Sequence, residues 1–188
     1  MEYVDYYAVV GVSPIACVNS LCSFISNFSD VHIRNLSFIV SLTESGEPSP
    51  QSMKTTESIN YALSISTSAP SLPRPQASDY IWIPEADLEG AIRTIIEGVL
   101  SRTTDDSRVI VDATAGRKIM ASSAVVASLI LSYSYGIPVA INYYLLKSYD
   151  DEARRKSFAE LGEHDAMTCI FEMSEVNRRL GFGRVSRG

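Results

Sequence analysis

The run Tyr6-Tyr-Ala-Val-Val-Gly-Val-Ser-Pro14 decides the fold. Its first part, Tyr6–Val12, is aromatic and β-branched without a charge, the composition of a strand buried on both faces. Gly11-Val-Ser-Pro14 ends that strand, and proline suits the first position of a helix. Beyond it Ile15, Val18, Leu21, Cys22, Ile25 and Phe28 recur at spacings of three and four, which predicts a helix. Leu36–Thr43 reads as the next strand. Strand, tight turn, helix, strand is a βαβ unit, and its crossover is expected to be right-handed.

The same alternation continues outward. Glu44–Ser58 is polar and carries Pro48 and Pro50, Ile59–Ile65 fits either an alternating strand or, the reading favoured, the end of a helix, and Ser68–Ser78 with its three prolines reads as a loop. Tyr80–Ile83 is a short strand. Leu88, Ala91, Ile92, Ile95, Ile96, Val99 and Leu100 then trace an amphipathic helix, with Asp87 and Glu89 placed where the helix dipole favours acids. Arg108–Asp112 is a strand, Ala113–Gly116 a turn, Arg117–Tyr135 a helix apolar on most sides, and Val139–Leu146 another strand. The charged tail Asp150–Gly188 is predicted to form two amphipathic helical pieces around Gly162. These elements predict a three-layer, Rossmann-like α/β domain with a mainly parallel sheet over residues 1–149, and a helical extension of that domain over 150–188. In such sheets ligands bind beyond the carboxyl ends of the strands, at a switch point.

Composition narrows the function. The chain has 188 residues, enough for one domain with a real core, and its 16 Lys+Arg against 22 Asp+Glu leave a net charge of −6. That balance excludes gripping long nucleic acid through a broad basic face, which needs many cation–phosphate pairs. A small anion in a local pocket remains allowed. There is no charge between Tyr6 and Ser29, and between Ala113 and Leu146 the only charges are Arg117 and Lys118. Three cysteines (Cys17, Cys22, Cys169) with no C-x-x-C spacing argue against a disulfide framework or a zinc site, so a reducing cytoplasm is the expected compartment. Ile119–Leu146 is uncharged and long enough to span a bilayer, but its serines, Asn142 and the Gly136-Ile-Pro138 break favour a buried helix and strand, with no membrane partner.

Two strand-to-helix turns can carry chemistry. At the first, Gly11 allows close backbone approach, and Ser13 offers a hydroxyl that either caps the helix or meets a ligand. The second is Asp112-Ala-Thr-Ala-Gly-Arg-Lys118. Gly116 permits a tight turn, while Arg117 and Lys118 open an apolar helix at the end where cations oppose the dipole by about 0.3–1 kcal/mol. A bound phosphate would reverse that sign. The spacing is neither a Walker A loop nor G-x-G-x-x-G.

Gly-Val-Ser-Pro after the first strand, with Asp112, Thr114, Gly116, Lys118 and Met120 in an Asp-x-Thr-x-Gly-x-Lys-x-Met pattern, resembles the CARF domains of type III CRISPR systems, most closely the stand-alone archaeal ring nucleases. The motifs cover about fifteen residues, and their order agrees over Tyr3–Leu146. Ala115 stands where the family pattern has a second glycine. The resemblance implies a homodimer that binds cyclic tetra-adenylate across its two-fold axis and cleaves it to linear di-adenylate with 2′,3′-cyclic phosphate ends. Neither metal nor cofactor is implied. Lys118 would stabilise the charged phosphorane and Ser13 would position the phosphate or the attacking hydroxyl, the two catalytic roles. Gly11, Val12, Thr114, Ala115, Gly116 and Arg117 would hold the ring.

Two rivals share the sequence. One is a CARF sensor that binds the ring uncut and signals to a partner; the other is a Rossmann-like enzyme for an ordinary nucleotide, which lacks a glycine fingerprint. His32 is expected at the opposite end of its strand from the site, and His164 lies in the tail. The carboxylate pairs Asp105/Asp106 and Asp150/Asp151 read as solvated turns. Asp112 is expected to order its own turn through backbone amides. Tyr143 or Tyr144, but only one on each side of the strand, could approach an adenine.

Overall fold

The computed structural model describes residues 2–66, 72–104, 107–148, 150, 152–161 and 165–181. Its centre is β1, Glu2–Val9, whose last six residues are all buried. Alternate side chains enter different layers. Tyr6, Ala8 and Val10 pack with Cys17, Leu21 and Phe24 on one face, while Tyr7 and Val9 pack with Ile95, Met120 and Ala124 on the other. This two-sided burial is why the strand is a continuous apolar run.

Six strands form one sheet, ordered β3 (Ile81–Pro84), β2 (Val31–Leu42), β1, β4 (Arg108–Asp112), β5 (Val139–Leu146), β6 (Ala166–Glu172). The first five run parallel, and β6 pairs antiparallel with β5. After β1 the chain moves one way through α1 (Pro14–Asn27) to β2. After β3 it returns through α3 (Leu88–Leu100) to β4 on the other side of β1. Crossovers of one hand leaving the centre in opposite directions put their helices on opposite faces. Accordingly α1 and α2 (Pro50–Ile65) share one layer, and α3 and α4 (Lys118–Ser134) share the other with α5 (Met173–Arg179). The expected three-layer Rossmann-like fold is present, and the switch point lies between β1 and β4.

Three elements differ from the sequence reading. The first two strands begin earlier, because β1 and β2 continue to pair from Glu2↔Val31 to Val4↔Ile33, before a bulge at Asp5, although the β2 residues there are only half-buried or exposed. Helix α2 starts at Pro50, inside the stretch read as a polar connection. Its buried face is Ser52, Thr55, Thr56, Ile59 and Leu63, a helical spacing filled mainly by small hydroxyl side chains. Their hydroxyls bond inward: Thr55 donates to the Gln51 carbonyl (2.9 Å), Thr56 to that of Met53 (2.8 Å), and Ser52 pairs with Ser41 (2.8 Å).

The tail is the largest correction. Among its described residues only α5 and two single 3-10 turns, Ala153–Arg155 and Phe158–Glu160, are helical; before α5, β6 completes the sheet. As an edge strand β6 leaves Met167 and Phe171 exposed, so it lacks a clean alternation. Gly162 and His164 lie outside the described residues, as do Asp105, Asp106 and Asp151. Among the described residues no helix is long and apolar enough to cross a membrane.

Candidate functional site

The turns that leave β1 and β4 touch through their backbones. A Cβ placed on Gly11 would lie 1.5 Å from the Ala115 carbonyl oxygen, so only glycine admits this approach. Gly116 is similarly tight, since a Cβ there would stand 2.4 Å from Cγ1 of Val9. Ala115 itself has no positive φ, so alanine in place of the second glycine of the family pattern costs no backbone strain. The contact brings together the starts of α1 and α4, helices on opposite faces of the sheet, at its carboxyl edge.

Beside this contact lies a cleft of about 290 Å³. The first turn contributes Val12 and Ser13, and α1 adds Ile15, Ala16 and Asn19. The second turn supplies Thr114 and Ala115. Tyr143 and Tyr144 close it from β5, and Ala153 and Arg154 from the tail. Both tyrosines reach the cleft, against the expectation for one strand face. They lie beyond Asn142, the last β5 residue paired to β4, where β5 continues against β6 alone and its other edge borders the cleft. Asn19 donates to the Lys156 carbonyl (2.9 Å), which ties the tail to α1 as a side wall.

Ser13 occupies the N-cap position of α1 in extended conformation, yet its side chain makes no capping hydrogen bond. With Pro14 next, the first free amides of α1 belong to Ile15 and Ala16, both on the cleft. Ser13, Ile15 and Ala16 thus all border the cleft, and a hydroxyl with the first amides of a helix is a group suited to an anion's oxygens.

Beneath the turns is a buried polar network. Asp112, fully shielded, accepts from the Thr114 amide at Oδ1 (2.9 Å) and from the Tyr6 hydroxyl at Oδ2 (2.8 Å). Asp112 thus orders its own turn, as the sequence suggested. Asn142 donates to the Tyr6 oxygen (2.8 Å) and to Ser20 Oγ (2.9 Å), and Ser20 Oγ lies 3.0 Å from Thr114 Oγ1. Thr114 Oγ1 also accepts from the Tyr144 amide (2.9 Å). The Thr114 hydroxyl, expected to hold ligand, is committed to fixing the turn against α1 and β5. Asn142 Oδ1 has no partner among the described residues. Sequence reasoning missed Tyr6, Ser20 and Asn142 as a unit. One signal was present: an asparagine in the middle of the apolar run Val139–Leu146.

Burial holds the Asp112 carboxyl above the ordinary carboxylate range, outweighing hydrogen bonds from Thr114, Ser20 and Tyr6 that lower it. Folding therefore raises this group's proton affinity. Between its unfolded and raised folded values the native state holds more protons, so this contribution to stability grows as pH falls through that interval. Denaturation midpoints of wild type and Asp112→Asn, compared from about pH 7 to about pH 4, are expected to diverge in favour of wild type as pH falls. A difference that is flat with pH would count against the assignment.

The two cations do not join the cleft wall. Arg117 is the N-cap residue of α4 and forms an ion pair with Glu85, in the loop after β3. Lys118, on the first turn of α4, is exposed and has no ion pair among the described residues. The structure thus gathers Val12, Ser13, Thr114 and Ala115 on the cleft, with Gly11 and Gly116 as spacers behind. Arg117 and Lys118 stand on the neighbouring rim, at the start of α4. His32 sits at the far end of β2, 5.9 Å from the Tyr3 ring, remote from the site. Asp150 accepts from the Ser148 hydroxyl (2.5 Å) and the Ala153 amide (2.6 Å), a turn-forming role. Among the described residues no group of three or more His, Cys, Asp or Glu side chains could hold a metal ion. No family model matches the chain, and no curated protein shows significant similarity to it.

Proposed function

We propose that this chain is a metal-independent ring nuclease that binds cyclic tetra-adenylate and cuts it to linear di-adenylate ending in 2′,3′-cyclic phosphate, thereby ending type III CRISPR signalling. The observation that carries the reading is Ser13, its hydroxyl free of capping duty, on the wall of a cleft at the N-terminus of α1 beside the switch point. Backbone amides at such ends bind phosphate without a large positive net charge. In the reaction a ribose 2′-oxygen attacks the adjacent phosphorus, the P–O5′ bond breaks, and the 2′-proton is lost while O5′ gains one. Ser13 positions the phosphate or the 2′-hydroxyl, and Lys118 neutralises charge on the phosphorane.

The cleft of one chain is too small for the whole ring, and the reading places two copies around a two-fold axis. An apolar surface supports that assembly. Ile119, Val126 and Tyr133 recur every seventh residue, exposed, along an α4 that carries no charge after Lys118, and Met167 and Phe171 are exposed on β6. In the homodimer two copies of the α4 first turn would face one ligand.

Product analysis tests the reading. Cyclic tetra-adenylate incubated with the protein in EDTA is expected to yield di-adenylate with cyclic phosphate, from a particle of twice the chain's mass by light scattering. Ring recovered intact but bound after hours at stoichiometric protein would give the sensor reading instead. That alternative draws on Lys118 and Arg117 standing outside the cleft wall of the single chain. A ring neither bound nor cut would sink both.

A further inference from the structure

Arg117 begins α4 with its own backbone still extended, and its guanidinium is turned to the Glu85 carboxylate. The pairing solves an electrostatic problem within the fold. Cations at a helix N-terminus oppose the dipole, and a carboxylate brought to the same turn offsets both the dipole and the guanidinium. Glu85 therefore stands where an external anion's charge would act. Its neighbour Asp87 cannot substitute, because its carboxylate is committed to capping α3 through the Gly90 amide (2.9 Å). Lys118 has no acid of its own among the described residues, so Arg117 alone is withheld.

The pair is built to open. The two side chains remain 42% and 32% accessible, so separating them strands no buried charge. Glu85 also borders a second cleft, of about 660 Å³, together with Thr43, Glu44 and Ala86, which leaves it room to withdraw.

We infer that Glu85 is an internal competitor for Arg117: it holds the guanidinium in the free protein and gives it up to a ligand phosphate, tuning the affinity of the α4 turn. The inference rests on the phosphate-ligand reading above and adds to it an acid outside the family motif. The consequence is that binding exchanges one ion pair for another rather than filling an empty cation, so Arg117 adds less affinity than its charge suggests.

Glu85→Gln keeps the side chain's shape and removes the competing charge. Calorimetry with cyclic tetra-adenylate at low salt is expected to show about two- to fivefold tighter binding, the range of a half-exposed ion pair. Arg117→Ala is expected to cost more affinity in the Glu85→Gln background than in wild type. Glu89→Gln changes net charge equally at an exposed pair with Arg93 and is expected to leave affinity unchanged. Wild-type affinity in Glu85→Gln, or the same gain from Glu89→Gln, would overturn the competition while leaving the ligand reading intact. Wild type that binds no ring at all would overturn the ligand reading and this inference with it.

Discussion

Lys118→Ala is expected to slow ring cleavage by about 10²–10³-fold, the usual loss when one preorganised electrostatic contact to the transition state is removed. Ring affinity should change far less. On the proposed reading the ground-state phosphate would be held by the first amides of α1 and by the Ser13 hydroxyl, whereas the exposed Lys118 ammonium would be screened by water until ligand covers it. Only the pentacoordinate phosphorane concentrates enough charge to make that one cation decisive. Single-turnover cleavage rates and binding isotherms separate the two effects. Lys118→Arg should recover part of the rate, because the charge returns with a different shape. Cleavage by Lys118→Ala within about threefold of wild type would remove Lys118 from the chemistry, since even one lost contact costs more. An equal loss in rate and affinity would make it a binding residue.

The features legible in the sequence are those that one residue type enforces locally. Gly11 and Gly116 marked the two turns because no other residue fits against Ala115 and Val9. The continuous apolar runs of β1, β4 and β5 gave a two-sided sheet because only burial on both faces removes the alternation. The first half of helix α2 escaped detection since its buried face there is written in serine and threonine, whose hydroxyls can bond back to their own helix. Strand β6 escaped because an exposed edge needs no apolar alternation and takes its register from β5. The site divides the same way. Ser13 could be placed at the turn, but whether its hydroxyl capped α1 depended on geometry that the sequence does not carry. Arg117 and Thr114 were correctly located on the second turn, yet their partners, Glu85 and Ser20, come from distant segments. A contact between segments far apart leaves no local periodicity to read.

Gly11→Ala tests the contact that brings the two turns together. The new methyl would fall 1.5 Å from the Ala115 carbonyl oxygen and 2.7 Å from its carbon, and both are backbone atoms that no rotamer change can move aside. The turns must separate, and the strain reaches the Thr114 amide and hydroxyl that Asp112, Ser20 and Tyr144 hold. Overpacking of this kind costs about 1–3 kcal/mol. For a domain of this size each kcal/mol lowers the midpoint by roughly 2–4 °C, so thermal denaturation should show a clear drop. Ring binding should fall more steeply, at least about tenfold, because groups that must converge on one phosphate lose their geometry with a displacement of about 1 Å. The control lies in the same contact. Ala115→Gly removes a side chain but leaves the obstructing carbonyl, so it should not rescue Gly11→Ala. Rescue would mean that the Ala115 methyl is the obstacle, and that the backbone approach does not set the distance between the turns.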